Sequence, residues 1–328
     1  FILKRKLKMD THVVDLTKYR STQHPLDLLD PPEIVDIKME ERAVYYPDGY
    51  GNIVSDPNRK GIHRVGGDAA VNIVGQNSYS IEGGQYSDLY RCMTNVLRNS
   101  GVDCNGIKVG SDVTHDGALG YISMTLPEYT IEVANGDESQ FQISGRTSFN
   151  GLWPTVLQIG AIRIICTNTQ AFVDNFSMYK AKHTPSFDIT HAQRKLQKAL
   201  EDYRAEGERW KRWTKNDISD REAFNVFALA AKCKVPLTTS MSVSVQDMIN
   251  DKENYSEVSR NQNLMYLWGQ YRQEVKTLGK THWAAYNALT HWSTHMPIQR
   301  KTAKNNIISA RVNREESVRT ASKELLAA

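Results

Sequence analysis

The feature that most constrains the fold is a run of short strand-type segments between residues 105 and 170. Each segment is rich in Ile, Val, Tyr or Phe, and turn residues separate one segment from the next. Asn135-Gly136 is the strongest turn signal, because this pair favours the backbone conformation of a tight hairpin. The pattern predicts an antiparallel sheet with strands at 107–109, 118–126, 129–133, 141–144 and 161–166.

Helical periodicity flanks this run on both sides. Apolar residues of the segment 85–99 recur at spacings of three and four, and Gly101 follows at a C-cap position. From about residue 189 the same periodicity predicts helices over 190–215, 220–234, 256–277 and 281–294, with Asp220, Ser256 and Thr281 as N-caps. The predicted fold class is α+β: a curved antiparallel sheet with a packed helix, followed by a helical C-terminal half.

Turn-forming residues and a shift in charge divide the chain into four regions. Residues 1–58 contain several proline clusters and are predicted to form an irregular N-terminal arm, with one short strand over 33–38. Residues 59–187 form the predicted α+β sheet core, and 188–298 the helical region. Residues 299–328 form a predicted basic C-terminal tail.

Composition excludes several classes of protein. No apolar run approaches the roughly 20 residues that span a bilayer, so a cytoplasmic protein without membrane contact is expected. The four cysteines are scattered and form no CxxC pair, which argues against a disulfide framework and a structural zinc site. No phosphate-binding glycine motif occurs. We therefore expect neither a metal nor a cofactor.

The positive charge is concentrated in the second half of the chain. Residues 1–150 contain 15 Lys and Arg against 20 Asp and Glu, whereas residues 151–328 contain 26 against 17. Between residues 178 and 215, cations alternate with aromatic residues, as in grooves that hold a single-stranded nucleic acid. The predicted DNA-binding residues are Lys180, Lys182, His183, Arg194, Lys195, Arg209, Trp210, Lys211, Arg212 and Trp213. The alternative interpretation is a solvated helix face with Trp210 and Trp213 turned into the core.

Two segments carry a likeness to a known family. In the first, Arg163, Cys166 and Asn168 precede a basic-His-Thr motif at residues 182–184; in the second, Trp283 and Asn287 precede an aromatic-rich stretch. Together they resemble a family of phage- and plasmid-encoded proteins of unknown function, over roughly residues 60–295. The resemblance implies a mobile-element setting in a bacterial cytoplasm, without supplying an activity.

Three groups of residues have the composition of catalytic or metal sites. Cys166 and His183 are a possible nucleophile and base, but a cysteine in an Ile-rich strand is more often inert core. His291 and His295 have the i, i+4 spacing of zinc ligands, yet Trp292 replaces the glutamate of the metalloprotease motif. Asp36-Ile37-Lys38 has the acid-x-Lys form of nuclease strands. None is predicted to be catalytic.

The predicted function is annealing of single-stranded DNA in phage recombination, by architectural likeness to the Red-beta and Erf annealing proteins. In this hypothesis Lys180, Lys182, Arg209 and Arg212 hold phosphates, and Trp210 or Trp213 stacks on bases. The many aromatic residues of the helix 283–292 predict a homo-oligomeric ring or filament. The alternatives are a phage nuclease and an anti-restriction or virion protein that binds host proteins and no DNA.

Overall fold

The computed structural model describes residues 12–13, 24–99, 101–164, 168–171, 178–183, 203–233, 261–297 and 307–327. The chain divides into two compact units. The first comprises Phe1–Thr130, Phe141–Gly160 and Phe176–Glu201. The second comprises Ile131–Gln140, Ala161–Asn175 and Asp202–Ala328. Arg194, Lys195 and Cys166 lie outside the described residues.

The described residues form two antiparallel sheets, where the strand pattern predicts one. The smaller sheet has the order β2 (Met39–Pro47), β3 (Ile53–Arg64), β4 (Ala70–Gly75). The larger sheet has seven strands in the order β1-β5-β6-β7-β8-β10, with β9 also paired to β8. Its strands are β1 (His12–Val13), β5 (Lys108–Val113), β6 (Leu119–Ala134), β7 (Asp137–Ser148), β8 (Thr155–Arg163), β9 (Asn168–Ala171) and β10 (Met178–Ala181).

Asn135-Gly136 connects β6 to β7, and Gly136 has a φ of +72°, so the predicted hairpin is confirmed. The predicted break at Pro127 is wrong, because β6 continues through it from Leu119 to Ala134. Pairing of β6 with β5 ends at Thr125, two residues before the proline. The missing N–H of Pro127 therefore falls beyond the last rung of the β5 ladder, where a strand tolerates proline.

Helix α1 (Tyr86–Asn99) lies against strands of the first unit with almost no separation. A Cβ atom on Gly120 would meet the Tyr86 ring at 2.3 Å, and one on Gly145 would meet Leu89 Cγ at 2.8 Å. Leu89, Met93, Val96 and Leu97 are all buried, which confirms the predicted apolar face. Two glycines thus form the groove that receives the helix.

Residues 39–58 are ordered as a hairpin of the smaller sheet, so the prediction of an irregular arm is wrong for this part. The turn is built by Asp48, whose Oδ1 accepts hydrogen bonds from the backbone N–H groups of Tyr50 (2.9 Å) and Asn52 (2.8 Å). The hydrogen bond from the Asn52 side-chain amide lowers the pKa of Asp48, and these backbone bonds lower it further. The predicted strand over 33–38 is also wrong, because Glu33–Asp36 form a 3-10 helix after Pro32.

The C-terminal half is helical, as predicted. The helices are α2 (Tyr203–Trp213), α3 (Asp220–Ala230), α4 (Gln262–Leu278), α5 (His282–His295), α6 (Ile307–Ala321) and α7 (Glu324–Ala327). Thr281 is the N-cap of α5, as predicted, with its side chain accepting from Ala284 N. The N-cap of α3 is Ser219 rather than Asp220, because Ser219 and Glu222 form a capping box. The predicted α+β class is confirmed.

Helix α5 is buried around its whole circumference. Trp283 and Tyr286 are fully buried and Trp292 is nearly so. Trp210 packs against both Trp283 and Tyr286, with ring centroids 5.8 Å and 6.4 Å away. Helix α6, predicted as part of a basic tail, contributes buried Val312 and Val318 to the same unit. The aromatic residues from which a homo-oligomer is predicted therefore pack inside one unit of a single chain.

Candidate functional site

Arg163 from the first family-like segment and Trp283 and Asn287 from the second lie in one buried network of the second unit. Arg163 lies near the end of β8 and donates from Nε to Asp137 Oδ1 (2.6 Å) and from Nη2 to Asp137 Oδ2 (2.8 Å). Its Nη1 donates to Glu274 Oε2 on α4 (3.0 Å). The Trp283 indole N–H donates to Asp137 Oδ2 (2.8 Å). Asn287 Nδ2 donates to the carbonyl of Trp283 (2.9 Å).

This network is a structural clamp rather than a reactive site. The side chains of Arg163 and Asp137 are 5% and 3% exposed, and every guanidinium nitrogen of Arg163 is used. A two-point Arg–carboxylate bond fixes orientation as well as distance. Because the charges are buried, removing one partner would leave the other desolvated and uncompensated.

Sequence reasoning named Arg163, Trp283 and Asn287 but missed both carboxylates. Asp137 follows the Asn135-Gly136 turn directly, and Glu274 lies on the inner side of α4. A signal for Asp137 existed, since an acid at the first position of a buried strand requires a cation nearby. Asn168 begins β9, and its side chain lies outside the described atoms.

His183, which the sequence assigns to DNA binding, is buried in the first unit, and this burial argues against direct contact with a phosphate. Its Nε2 lies 2.8 Å from Thr147 Oγ1 and 3.0 Å from Thr155 Oγ1. The Tyr79 ring stacks on it with centroids 5.2 Å apart. A Cβ on Gly84 would lie 2.5 Å from His183 Cε1, so only glycine fits there.

Burial lowers the pKa of His183 to about 4, which predicts acid sensitivity. The unfolded chain, with a pKa of about 6.5, binds more protons between these values, so stability falls as the pH drops from about 6.5 to about 4. We expect His183 to contribute about 2 kcal/mol of lost stability between pH 7 and pH 5. The free energy of unfolding by urea should therefore change less between pH 7 and pH 5 in His183→Gln than in the wild type. The same change in both proteins would contradict the assignment of the acid sensitivity to His183.

Trp210 and Trp213 are buried at 0% and 3% exposure, which supports the core interpretation over stacking on bases. Tyr203, Trp210 and Trp213 follow one another at helical spacing and turn the same side of α2 inward. Trp213 contacts Tyr286 with ring centroids 5.2 Å apart.

The described cations of the predicted basic stretch include two that form ion pairs along α2 and four that are exposed. Arg209 Nη1 binds Glu206 Oε2 (2.5 Å), and Lys211 Nζ binds Glu208 Oε1 (2.9 Å). Arg212 and Lys215 are exposed at the end of α2. Lys180 and Lys182 are exposed in the first unit, on and just after β10.

The histidine pair with the spacing of zinc ligands lies on α5. His291 and His295 lie side by side with ring centroids 4.7 Å apart, and His291 Nδ1 is 3.2 Å from the Tyr266 hydroxyl. Burial lowers the pKa of His291 to about 4, and His295 and Arg163 add to the shift. Within the described ranges, no three His, Cys, Asp or Glu side chains are grouped to hold a metal ion.

The tip of the β2–β3 hairpin is a surface that sequence reasoning missed. Tyr45, Tyr46, Tyr50 and Ile53 are exposed there to 63%, 47%, 94% and 69%. The sequence indicates this surface, because three tyrosines flank a Pro-Asp-Gly turn and turns lie at the protein surface. Such a concentration of exposed rings is unusual for a surface that stays in water.

No helix in the described part of the chain is long and apolar enough to cross a membrane. The chain matches no curated protein and no solved structure. A family model described as a domain of unknown function, DUF932, matches residues 82–318, which include Arg163, Asp137, Glu274 and Trp283. The chain with this buried network therefore belongs to the DUF932 family.

Proposed function

We propose that this chain binds single-stranded DNA and promotes the annealing of complementary strands, holding phosphates with exposed cations. One observation carries the proposal. In the basic stretch, exposed cations lie directly beside buried rings: Lys182 beside His183 in the first unit, and Arg212 beside Trp213 in the second. Each of these two cations is therefore next to a side chain that is fixed in its own unit.

The anchoring has a physical consequence for binding. A cation on a well-ordered element loses little conformational entropy when it contacts a phosphate. The entropic cost that opposes the interaction energy is therefore smaller. Arg212 lies in the last turn of α2, whose register is fixed by the two buried indoles. Lys215 lies in the turn after the helix, where its N–H donates to the carbonyl of Arg212 (2.9 Å). Lys180 lies on β10, and Lys182 stands between the strand and His183.

Burial of the indoles also changes the expected mode of binding. Stacking by Trp210 or Trp213 is excluded while the second unit is folded, so counterion release dominates the affinity. Binding should be independent of sequence and should weaken steeply with salt. A setting in phage or plasmid recombination, in a bacterial cytoplasm, is part of the proposal and follows from the resemblance of the two motif segments.

The salt dependence of binding tests the role of the cations. We expect Arg212→Ala and Lys215→Ala each to reduce the slope of log affinity against log salt by about 0.7, one phosphate contact on a single strand. The matched control is Arg91→Ala, an exposed helical arginine of α1 loosely paired with Asp88 at 3.6 Å. Fluorescence anisotropy with a labelled oligonucleotide at several salt concentrations measures this slope for each of the three variants. Equal slopes in the wild type and both α2 variants would contradict the assignment.

A further inference from the structure

A cleft of about 370 Å³ lies in the second unit between α3, the first residue of α5 and the short helix α7. Its floor is apolar, because Ile218, Val226 and Leu325 line it and are buried. Sites for small ligands have this size, and an apolar lining with a few polar groups is their usual composition. The polar groups of the cleft therefore indicate which ligand it accepts.

His282, the first residue of α5, is the buried polar group of the cleft. It lines the cleft and is only 4% exposed. Its Nδ1 lies 3.2 Å from the carbonyl oxygen of Leu325, which can only accept, so Nδ1 carries the proton. In the neutral ring Nε2 is then an acceptor, and it has no hydrogen-bond partner in the described part of the chain. A donor group of a ligand would satisfy this nitrogen.

Two carboxylates stand at the exposed rim, Glu222 on α3 and Glu324 on α7. Glu222 Oε2 accepts from the Ser219 hydroxyl (2.6 Å) and from the Ser219 N–H (2.8 Å). The bond from the hydroxyl lowers the pKa of Glu222 most, so this carboxylate is charged at neutral pH. None of the residues that line the cleft, all of them described, is Lys or Arg. The rim therefore attracts positive charge.

The spacing of these acceptors suits an organic cation better than a metal ion. Within the described ranges no three acidic, Cys or His side chains are close enough to hold a metal ion, so Glu222, His282 and Glu324 lie too far apart for one. A guanidinium or amidinium group carries several N–H donors in one plane and reaches acceptors that lie apart. The apolar floor covers the stem or ring that carries such a group.

The segments that form the cleft wall are held in place before a ligand arrives. Ile218 N donates to the carbonyl of Lys280 (2.9 Å), and His282 N donates to the carbonyl of Asn216 (2.9 Å). These two bonds join the chain before α3 to the chain at the start of α5. A wall that is already ordered loses little entropy on binding, which favours affinity for a small ligand.

We propose that this cleft binds a ligand with a guanidinium or amidinium head on an apolar stem. The head donates to Glu222, Glu324 and His282 Nε2, and the stem packs on the floor. A small free molecule and the arginine side chain of a partner protein share this chemistry. The proposal does not depend on DNA binding.

Isothermal titration calorimetry on the full chain tests the proposal with benzamidine, an amidinium on a phenyl ring. We expect the wild type to bind benzamidine and to bind benzamide, its neutral analogue of the same shape, at least about tenfold more weakly. The reason is that hydrogen bonds between charged groups are lost. Acetyl-glycyl-arginyl-glycinamide distinguishes the two sources. This peptide should bind more tightly than benzamidine if the natural ligand is an arginine of a protein, and more weakly if it is a small molecule.

The variant Glu222→Gln/Glu324→Gln tests the two rim carboxylates. We expect it to bind benzamidine at least about tenfold more weakly. It should stay folded, because glutamine also completes a capping box at the position of Glu222. Glu208→Gln is the matched control, since it removes the same charge from an exposed residue of α2 that does not line the cleft. Thermal melting without ligand checks that both variants are folded.

Three results would overturn the proposal. They are a wild type that binds neither benzamidine nor the peptide, a wild type with equal affinity for benzamidine and benzamide, and a double variant that binds benzamidine as tightly as the Glu208→Gln control. If the double variant does not fold, the comparison of benzamidine with benzamide on the wild type still decides the question.

Discussion

Replacing Arg163 with methionine is expected to lower the free energy of unfolding by about 3–5 kcal/mol. Methionine fills much of the arginine's volume but leaves Asp137 with the Trp283 indole and no cation. Asp137 is 3% exposed, so water cannot replace the guanidinium. Glu274, at 11% exposure, loses the same partner. Two carboxylates would then share a poorly hydrated site.

Arg98→Met is the control that shows how much of this stability loss is due to burial of the ion pair. Arg98 also pairs with an aspartate, Asp27, at 2.5 Å, but both side chains are more than 40% exposed. Solvent screens a surface pair of this kind and it contributes little to stability, so Arg98→Met should be nearly neutral. Chemical denaturation of the two variants at neutral pH measures the difference. If Arg163→Met costs no more than Arg98→Met, the network does not stabilise the second unit.

Trp210→Ala is expected to cost about 3–5 kcal/mol of stability, the usual range for a core tryptophan. The ring is fully buried and packs on Trp283 and Tyr286. Trp210→Phe should recover part of the loss, because it keeps one aromatic ring at the same place. Thermal or urea unfolding followed by circular dichroism measures both variants.

The same variants separate a core role from a base-stacking role. Under conditions where Trp210→Phe is fully folded, its affinity for an oligonucleotide should equal that of the wild type. Arg212→Ala should show the opposite pattern, with normal stability and weaker, less salt-dependent binding. If Trp210→Phe has normal stability but binds the oligonucleotide several-fold more weakly, the result would contradict burial of the Trp210 ring in the DNA-binding state.

Local signals predicted the elements that depend on neighbours in the chain. Asn135-Gly136 identified the β6–β7 hairpin because the turn type is set by two residues. Thr281 identified the start of α5 because an N-cap bonds a backbone group three residues later. The spacing of apolar residues identified α1 for the same reason.

Contacts between distant residues could not be read from the sequence. Arg163 was visible as a motif residue, but Asp137 on β7 and Glu274 on α4 are joined to it by the fold alone. The orientation of Trp210 depends on the position of α5. Periodicity shows which face of a helix is apolar, but it does not identify the element that packs against that face. The β2–β3 hairpin was hidden by its Pro-Asp-Gly turns, which resemble an irregular arm when strand pairing is unknown.

The most direct test of single-strand binding is the rate at which two complementary labelled oligonucleotides pair in the presence of the protein. We predict that the wild type accelerates pairing at low salt, that the acceleration disappears in Arg212→Ala/Lys215→Ala, and that Arg91→Ala behaves like the wild type. High salt should abolish the effect, because the protein releases the strands. A folded wild-type protein that leaves the pairing rate unchanged at low salt, and binds neither strand, would contradict the proposed function.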